Sequence, residues 1–135
     1  MKTIGIIGSR RRDSKEDLEE CRKSFLSIYE KGDSLVSGGC SCGGDKFCEV
    51  FAREYNIPIK IHYADWNKYG KSAGFKRNTY IAEDADVIIA LLPDGEKSYG
   101  TEDTIRKAEK MDKKIILVPQ CEYYFEDFDP LDLEV

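Results

Sequence analysis

The sequence has no long hydrophobic run. None of its apolar stretches approaches the ~18 residues a membrane helix requires, so the chain is not expected to cross a membrane. The opening MKTIGIIGSR carries too short an apolar segment to serve as a secretory leader. Histidine is almost missing, with His62 alone. The cysteines at positions 21, 40, 42, 48 and 121 are odd in number and lack the paired C-x-x-C spacing of zinc ribbons. Together these absences point to a cytoplasmic chain with reduced thiols and no metal, in which His62 is a packed or exposed strand residue. Acidic residues outnumber basic ones, 26 to 21. The net charge of −5, with no basic stripe interleaved with aromatics, argues against binding single-stranded nucleic acid. Repeats, linkers and low-complexity tracts are absent as well.

What remains is the composition of one globular domain. The 135 residues are 41% hydrophobic and 35% charged, enough to bury a core. Short apolar runs alternate with amphipathic stretches, the mark of βαβ units around a parallel sheet. Strands are expected at residues 3–8, 34–37, 58–63, 86–92 and 114–118. The run DVIIALL from Asp86 reads as a central strand buried on both faces. Helices are expected at about 15–29, from Gly44 or Asp45, at 72–83 and at 101–111. Leu18, Cys21, Phe25 and Ile28 form the apolar stripe of the first, with Ser14 and Asp17 as its capping box and Gly32 as its end. Residues 64–71 read as a loop. The whole chain, 1–135, is taken as a single Rossmann-like α/β three-layer sandwich with a mostly parallel sheet of about five strands, and 118–135 as an acidic tail.

Four loops fall beyond the carboxyl ends of these strands, where doubly wound sheets hold ligands. The first is Gly8-Ser9-Arg10: a close backbone approach, a hydroxyl, and a planar cation suited to phosphate. The G-x-G-x-x-G dinucleotide fingerprint is missing here. The second, SGGCSCGGD, places Gly38, Gly39, Gly43 and Gly44 between a strand and a helix, more glycine than a tight turn needs. Its backbone N–H groups suit an anion at the helix N-terminus. Asp45 either caps that helix or accepts a ribose hydroxyl. In the third, Arg77 can neutralise phosphate and Asn78 can read a base edge or sugar, with Asp65 and Trp66 as a pocket wall. In the fourth, Ser98, Gly100 and Thr101 open a helix, Thr101 serving as N-cap or as part of an anion site. Glu102 and Asp103 suit the helix dipole, or supply a general base or a ribose ligand.

In this order the motifs GSR (Gly8–Arg10), VSGG…GGD (Val36–Asp45), ADW (Ala64–Trp66), AGFKRN (Ala73–Asn78) and SYGT (Ser98–Thr101) resemble the SLOG superfamily, and within it the small single-domain YspA-like group. The resemblance spans Thr3 to about Val118. It implies a Rossmann-like domain that binds nucleotides or nucleotide-derived ligands through residues 8–10, 38, 39, 43, 45, 77, 78, 100 and 101. Relatives include the LOG phosphoribohydrolases and the DNA-processing protein DprA. LOG enzymes have PGG-x-GT-x-x-E, whereas this chain has Thr104 at the position of the final glutamate. Three functions follow: a sensor or carrier of an ADP-ribose or nucleoside-phosphate ligand; a nucleoside 5′-monophosphate phosphoribohydrolase or related N-glycosidase using Asp45, Glu102 or Asp103, with Arg77 on the phosphate; and, least, a single-strand binder. No cofactor is expected, and the helix faces allow a homodimer.

Overall fold

The structure is a computed structural model that describes residues 1–93 and 98–120. Of the expected acidic tail, residues 121–135 lie outside the described residues, as does Lys97 before the fourth loop's Ser98. Five parallel strands form one sheet in the order β3-β2-β1-β4-β5. They are β1 (Thr3–Gly8), β2 (Ser34–Ser37), β3 (Ile59–Ile61), β4 (Val87–Leu91) and β5 (Lys114–Leu117). The helices are α1 (Lys15–Ile28), α2 (Gly44–Glu54), α3 (Trp66–Tyr69), α4 (Ala73–Asp84) and α5 (Tyr99–Lys110).

The sheet divides the core in two because alternate strand residues face opposite ways. Ile4, Ile6, Leu35, Val87, Ile89 and Leu91 pack with Cys21, Phe25, Phe47, Cys48 and Phe51 of α1 and α2. Ile7, Val36, Ile88 and Ala90 pack with Ile81, Ala82 and Ala108 of α4 and α5. The chain is therefore a three-layer, Rossmann-like α/β fold. Every residue of β4 is buried, as its unbroken apolar run requires. Phe25 of α1 stacks on Phe51 of α2 with ring centroids 5.0 Å apart.

Local sequence sets most element ends. Ser14 Oγ accepts the Asp17 N–H at 3.0 Å and Asp17 accepts the Ser14 N–H at 3.4 Å, a closed capping box despite the short acid. Three expectations change. The helix α1 stops at Ile28, and Gly32 instead serves the following turn at φ +101°. Residues 64–71 are not all loop: Asp65 accepts the Lys68 N–H at 3.1 Å and caps α3, and a 3-10 turn, Gly70–Ser72, leads into α4. Asp65 thus caps a helix, and it is Ala64 and Trp66 that join the cleft wall. Finally, α5 begins at Tyr99 with Ser98 as N-cap, so Thr101 lies one turn inside.

At the opposite edge, buried Asp33 accepts the Lys2 N–H (2.9 Å), the Glu30 N–H (2.9 Å) and the Lys2 ammonium (2.7 Å). Burial pushes its carboxyl pKa up, but the Lys2 and Glu30 hydrogen bonds and the Lys2 charge outweigh that and hold it below the usual carboxylate value. A folded-state pKa below the unfolded one stabilises the protein above about pH 4 and loses that stabilisation as pH falls through the folded value. Urea titrations below pH 4 are expected to show a decline that Asp33→Asn flattens. An unchanged acid limb in the variant would contradict the assignment.

Candidate functional site

The strand order places β2 on one side of β1 and β4 on the other. Consecutive connections therefore part at the carboxyl end of β1 and leave a crevice. A cleft of about 800 Å³ lies there, within the range of small-molecule sites. All four sequence loops reach it. The end of β1 contributes Gly8, Ser9 and Arg10. The loop after β2 contributes Gly38, Gly39, Cys40 and Ser41, and α2 contributes Asp45. Tyr63, Ala64 and Trp66 follow β3. Arg77, Asn78 and Ile81 come from α4, and Ser98, Tyr99, Gly100, Thr101 and Thr104 from the start of α5.

The glycine-rich loop does not stand as an empty anion cradle. Asp45 carries its own carboxylate into the loop, where it accepts the Cys40 N–H at 3.0 Å. Burial pushes the Asp45 carboxyl up; the Cys40 N–H, the nearby Arg77 charge and the Gly38 N–H oppose this but leave it raised. The N-cap of α2, Gly43, donates its N–H to Asp13 at 2.8 Å. Two carboxylates of the chain therefore already answer the loop. Gly43 and Gly44 do not line the cleft. They let α2 lie against β1: a Cβ on Gly44 would sit 2.3 Å from the Ile7 carbonyl carbon, and one on Gly43 would sit 2.6 Å from the Ser9 carbonyl oxygen. Asp45 caps no helix, because it lies in the first turn of α2 and turns back to the loop.

The expected charged clamp divides into two different residues. Arg77 is already engaged: Nη1 donates to the Gly38 carbonyl at 3.0 Å and Nε to Asn78 Oδ1 at 3.2 Å. Asn78 is buried, and its Nδ2 donates to the Gly100 carbonyl and to Asp103 Oδ2, each at 3.2 Å. Its amide joins α4 to α5. Arg10, by contrast, is exposed on the cleft and makes no hydrogen bond or ion pair with the described residues. The Ser9 hydroxyl accepts the Arg11 N–H at 3.1 Å and shapes the turn that presents Arg10.

Glu102 and Asp103 do not line the cleft and are engaged elsewhere. Asp103 is buried between α4 and α5, where Asn78, Arg106 (2.8 Å) and Lys107 (2.9 Å) surround it. Glu102 reaches back to accept the Ser98 N–H at 2.9 Å. Among the described residues, the carboxylate that borders the cleft is Asp45. Thr101 accepts the Ser98 hydroxyl at 3.0 Å, and α5 has no side-chain cap on its first-turn N–H groups. His62, just past β3, pairs with Asp84 at 2.6 Å and lies beside the Tyr80 ring, a packing role. Among the described residues no group of three or more His, Cys, Asp or Glu is placed to hold a metal.

Three residues escape sequence reasoning. Tyr63 and Tyr99 border the cleft as exposed rings beside Trp66. Three aromatics bordering one cleft are a signal, but they come from separate segments of the sequence. Arg12, which does not line the cleft, is buried against Asp17 and the chain leaving β5, a role that appears only in three dimensions.

Fold and cleft together define a Rossmann-like α/β domain with a polar crevice at the carboxyl edge of its sheet. The chain is 31% identical to the Gene 61 protein of Mycobacterium phage D29 over 116 residues, covering 82% of this chain and 90% of that protein, and it belongs to the same family. No protein-family model and no solved structure matches it.

Proposed function

We propose that the chain binds a phosphate-bearing nucleotide or nucleotide-derived ligand, of the ADP-ribose or nucleoside-phosphate type, as a sensor or carrier. The observation that carries this reading is Arg10, without a hydrogen-bond or ion-pair partner among the described residues, on a cleft that also holds the first turn of α5, which its N-cap side chain leaves uncapped, and three exposed aromatic rings. A guanidinium and a helix N-terminus suit phosphate oxygens, and flat rings suit a base. The motif order that resembles the SLOG superfamily supports the same ligand class. The phosphate belongs on the Arg10 and α5 side, because Asp45 and Asp13 already serve the α2 side.

Thermal-shift measurements across nucleoside mono- and diphosphates and ADP-ribose derivatives test this directly. At least one ligand is expected to raise Tm, and a flat response across the set would overturn the reading. Arg10→Ala is expected to keep its stability within about 0.5 kcal/mol, as surface changes do. It is expected to bind that ligand about 10- to 100-fold more weakly, the worth of a charge-assisted hydrogen bond. Gly100→Ala meets no atom within 4 Å of the new Cβ and needs no left-handed backbone. It is expected to leave stability equal or slightly higher, so any loss of binding reports on the cleft itself.

A further inference from the structure

The loop after β2 carries two thiols that the proposed binding does not use. Cys40 Sγ and Cys42 Sγ lie 3.8 Å apart, and both residues are half-buried. Cys40 borders the open cleft, and exposed Ser41 separates the two. The loop is flanked by Gly39 at φ +79° and Gly43 at φ +73°. A disulfide needs its sulfurs at about 2.05 Å, so closure asks for a small movement of a loop whose flanking residues have no side chain to obstruct it. The other described thiols contrast with this pair. Cys21 is fully buried and pushed up to about 12 by burial. Cys48 is likewise fully buried, pushed well up by burial, and donates to the Val36 carbonyl. Thiols held protonated and away from solvent are inert.

We propose that Cys40 and Cys42 are a redox-modification site, a dithiol that low-molecular-weight disulfides convert into an intramolecular disulfide. The Cys40 thiolate, beside the open cleft, attacks one sulfur of oxidised glutathione and expels one glutathione thiolate, leaving a mixed disulfide. Cys42 gives its proton to solvent and attacks the Cys40 sulfur, expelling the second glutathione thiolate. The protein loses two hydrogens as one oxidised glutathione becomes two reduced ones. Burial, and then the Cys40 thiol, push the Cys42 thiol up, which suits it to the second step, where proximity compensates for a low thiolate fraction. A bond closing so short a loop is expected to be readily reduced.

The test uses the full chain incubated with oxidised glutathione, acid-quenched, alkylated and mapped by mass spectrometry. One tryptic peptide, from Gly32 to Lys46, carries both thiols. It is expected to appear lighter by two hydrogens and unalkylated, with Cys21 and Cys48 reacting only after unfolding. A Cys121→Ser background, which removes the thiol outside the described residues, is expected to behave identically. Cys42→Ser is expected to accumulate a glutathione adduct on Cys40, because nothing remains to resolve it. Absence of reaction, persistent glutathione on the wild-type pair, or a bond from either cysteine to a different one would overturn the proposal. None of these readouts depends on ligand binding, so the two readings fail separately.

Discussion

Gly44→Ala is expected to destabilise the protein by at least about 3 kcal/mol, the upper end of what overpacking costs. The reason is where the added methyl would go. It would lie 2.3 Å from the Ile7 carbonyl carbon and 2.5 Å from both the Gly8 nitrogen and the Ile7 oxygen. These are backbone atoms of β1, the central strand, which pairs with both β2 and β4 and cannot retreat alone. The helix must move instead. Phe47, Cys48 and Phe51 of α2 lie in the core against Ile4 and Ile6, so that movement opens voids as it relieves the clash. A loss of this size is expected to lower Tm by about 10 °C in a domain of this length. Urea denaturation gives the free energy directly. A variant within about 1 kcal/mol of wild type would show that Gly44 serves something other than the close approach of α2 to β1.

The fold was largely legible because its strongest signals are local. The apolar stripe of α1, the capping box at Ser14 and the buried run of β4 all appear at their expected places. The start of α5 was misplaced because Ser98 and Thr101 are both good N-cap residues. Only tertiary structure decides between them. The candidate site was legible as a set of loops but not as a set of roles. Four glycines between strand and helix do announce an approach of backbone to something. One part of that something is β1, against Gly44. Another is Asp13, whose partner Gly43 is thirty positions away in sequence. Asn78 and Asp103 read equally well as ligand contacts until they are seen bound to each other across α4 and α5.

Arg12 is the clearest residue of this kind, and Arg12→Ala is expected to cost about 3–5 kcal/mol, the effect of removing one partner from a buried ion pair. In the sequence it is the last of three consecutive arginines, with nothing to set it apart from the other two. In the structure it is 3% exposed. Its guanidinium pairs with Asp17 at 2.9 Å and donates to the Val118 carbonyl at 2.9 Å and the Pro119 carbonyl at 2.8 Å. One side chain thereby ties the first turn of α1 to the chain leaving β5. Alanine would leave a largely buried carboxylate and two carbonyls without that donor, and each lost partner adds a desolvation cost. Lysine restores the charge but offers no planar fork, so Arg12→Lys is expected to recover only part of the loss. Hydrogen exchange locates the damage. Amides of β5 and of the first turn of α1 are expected to exchange faster in Arg12→Ala, while those of β2 and β3 follow only the change in global stability. Uniform acceleration across the sheet, or stability within about 0.5 kcal/mol of wild type, would refute the clamp. The neighbouring Arg10→Ala change serves as the contrast. The two arginines are two residues apart, yet one is expected to govern the fold and the other the ligand, because one side chain turns under the sheet edge and the other out into the cleft.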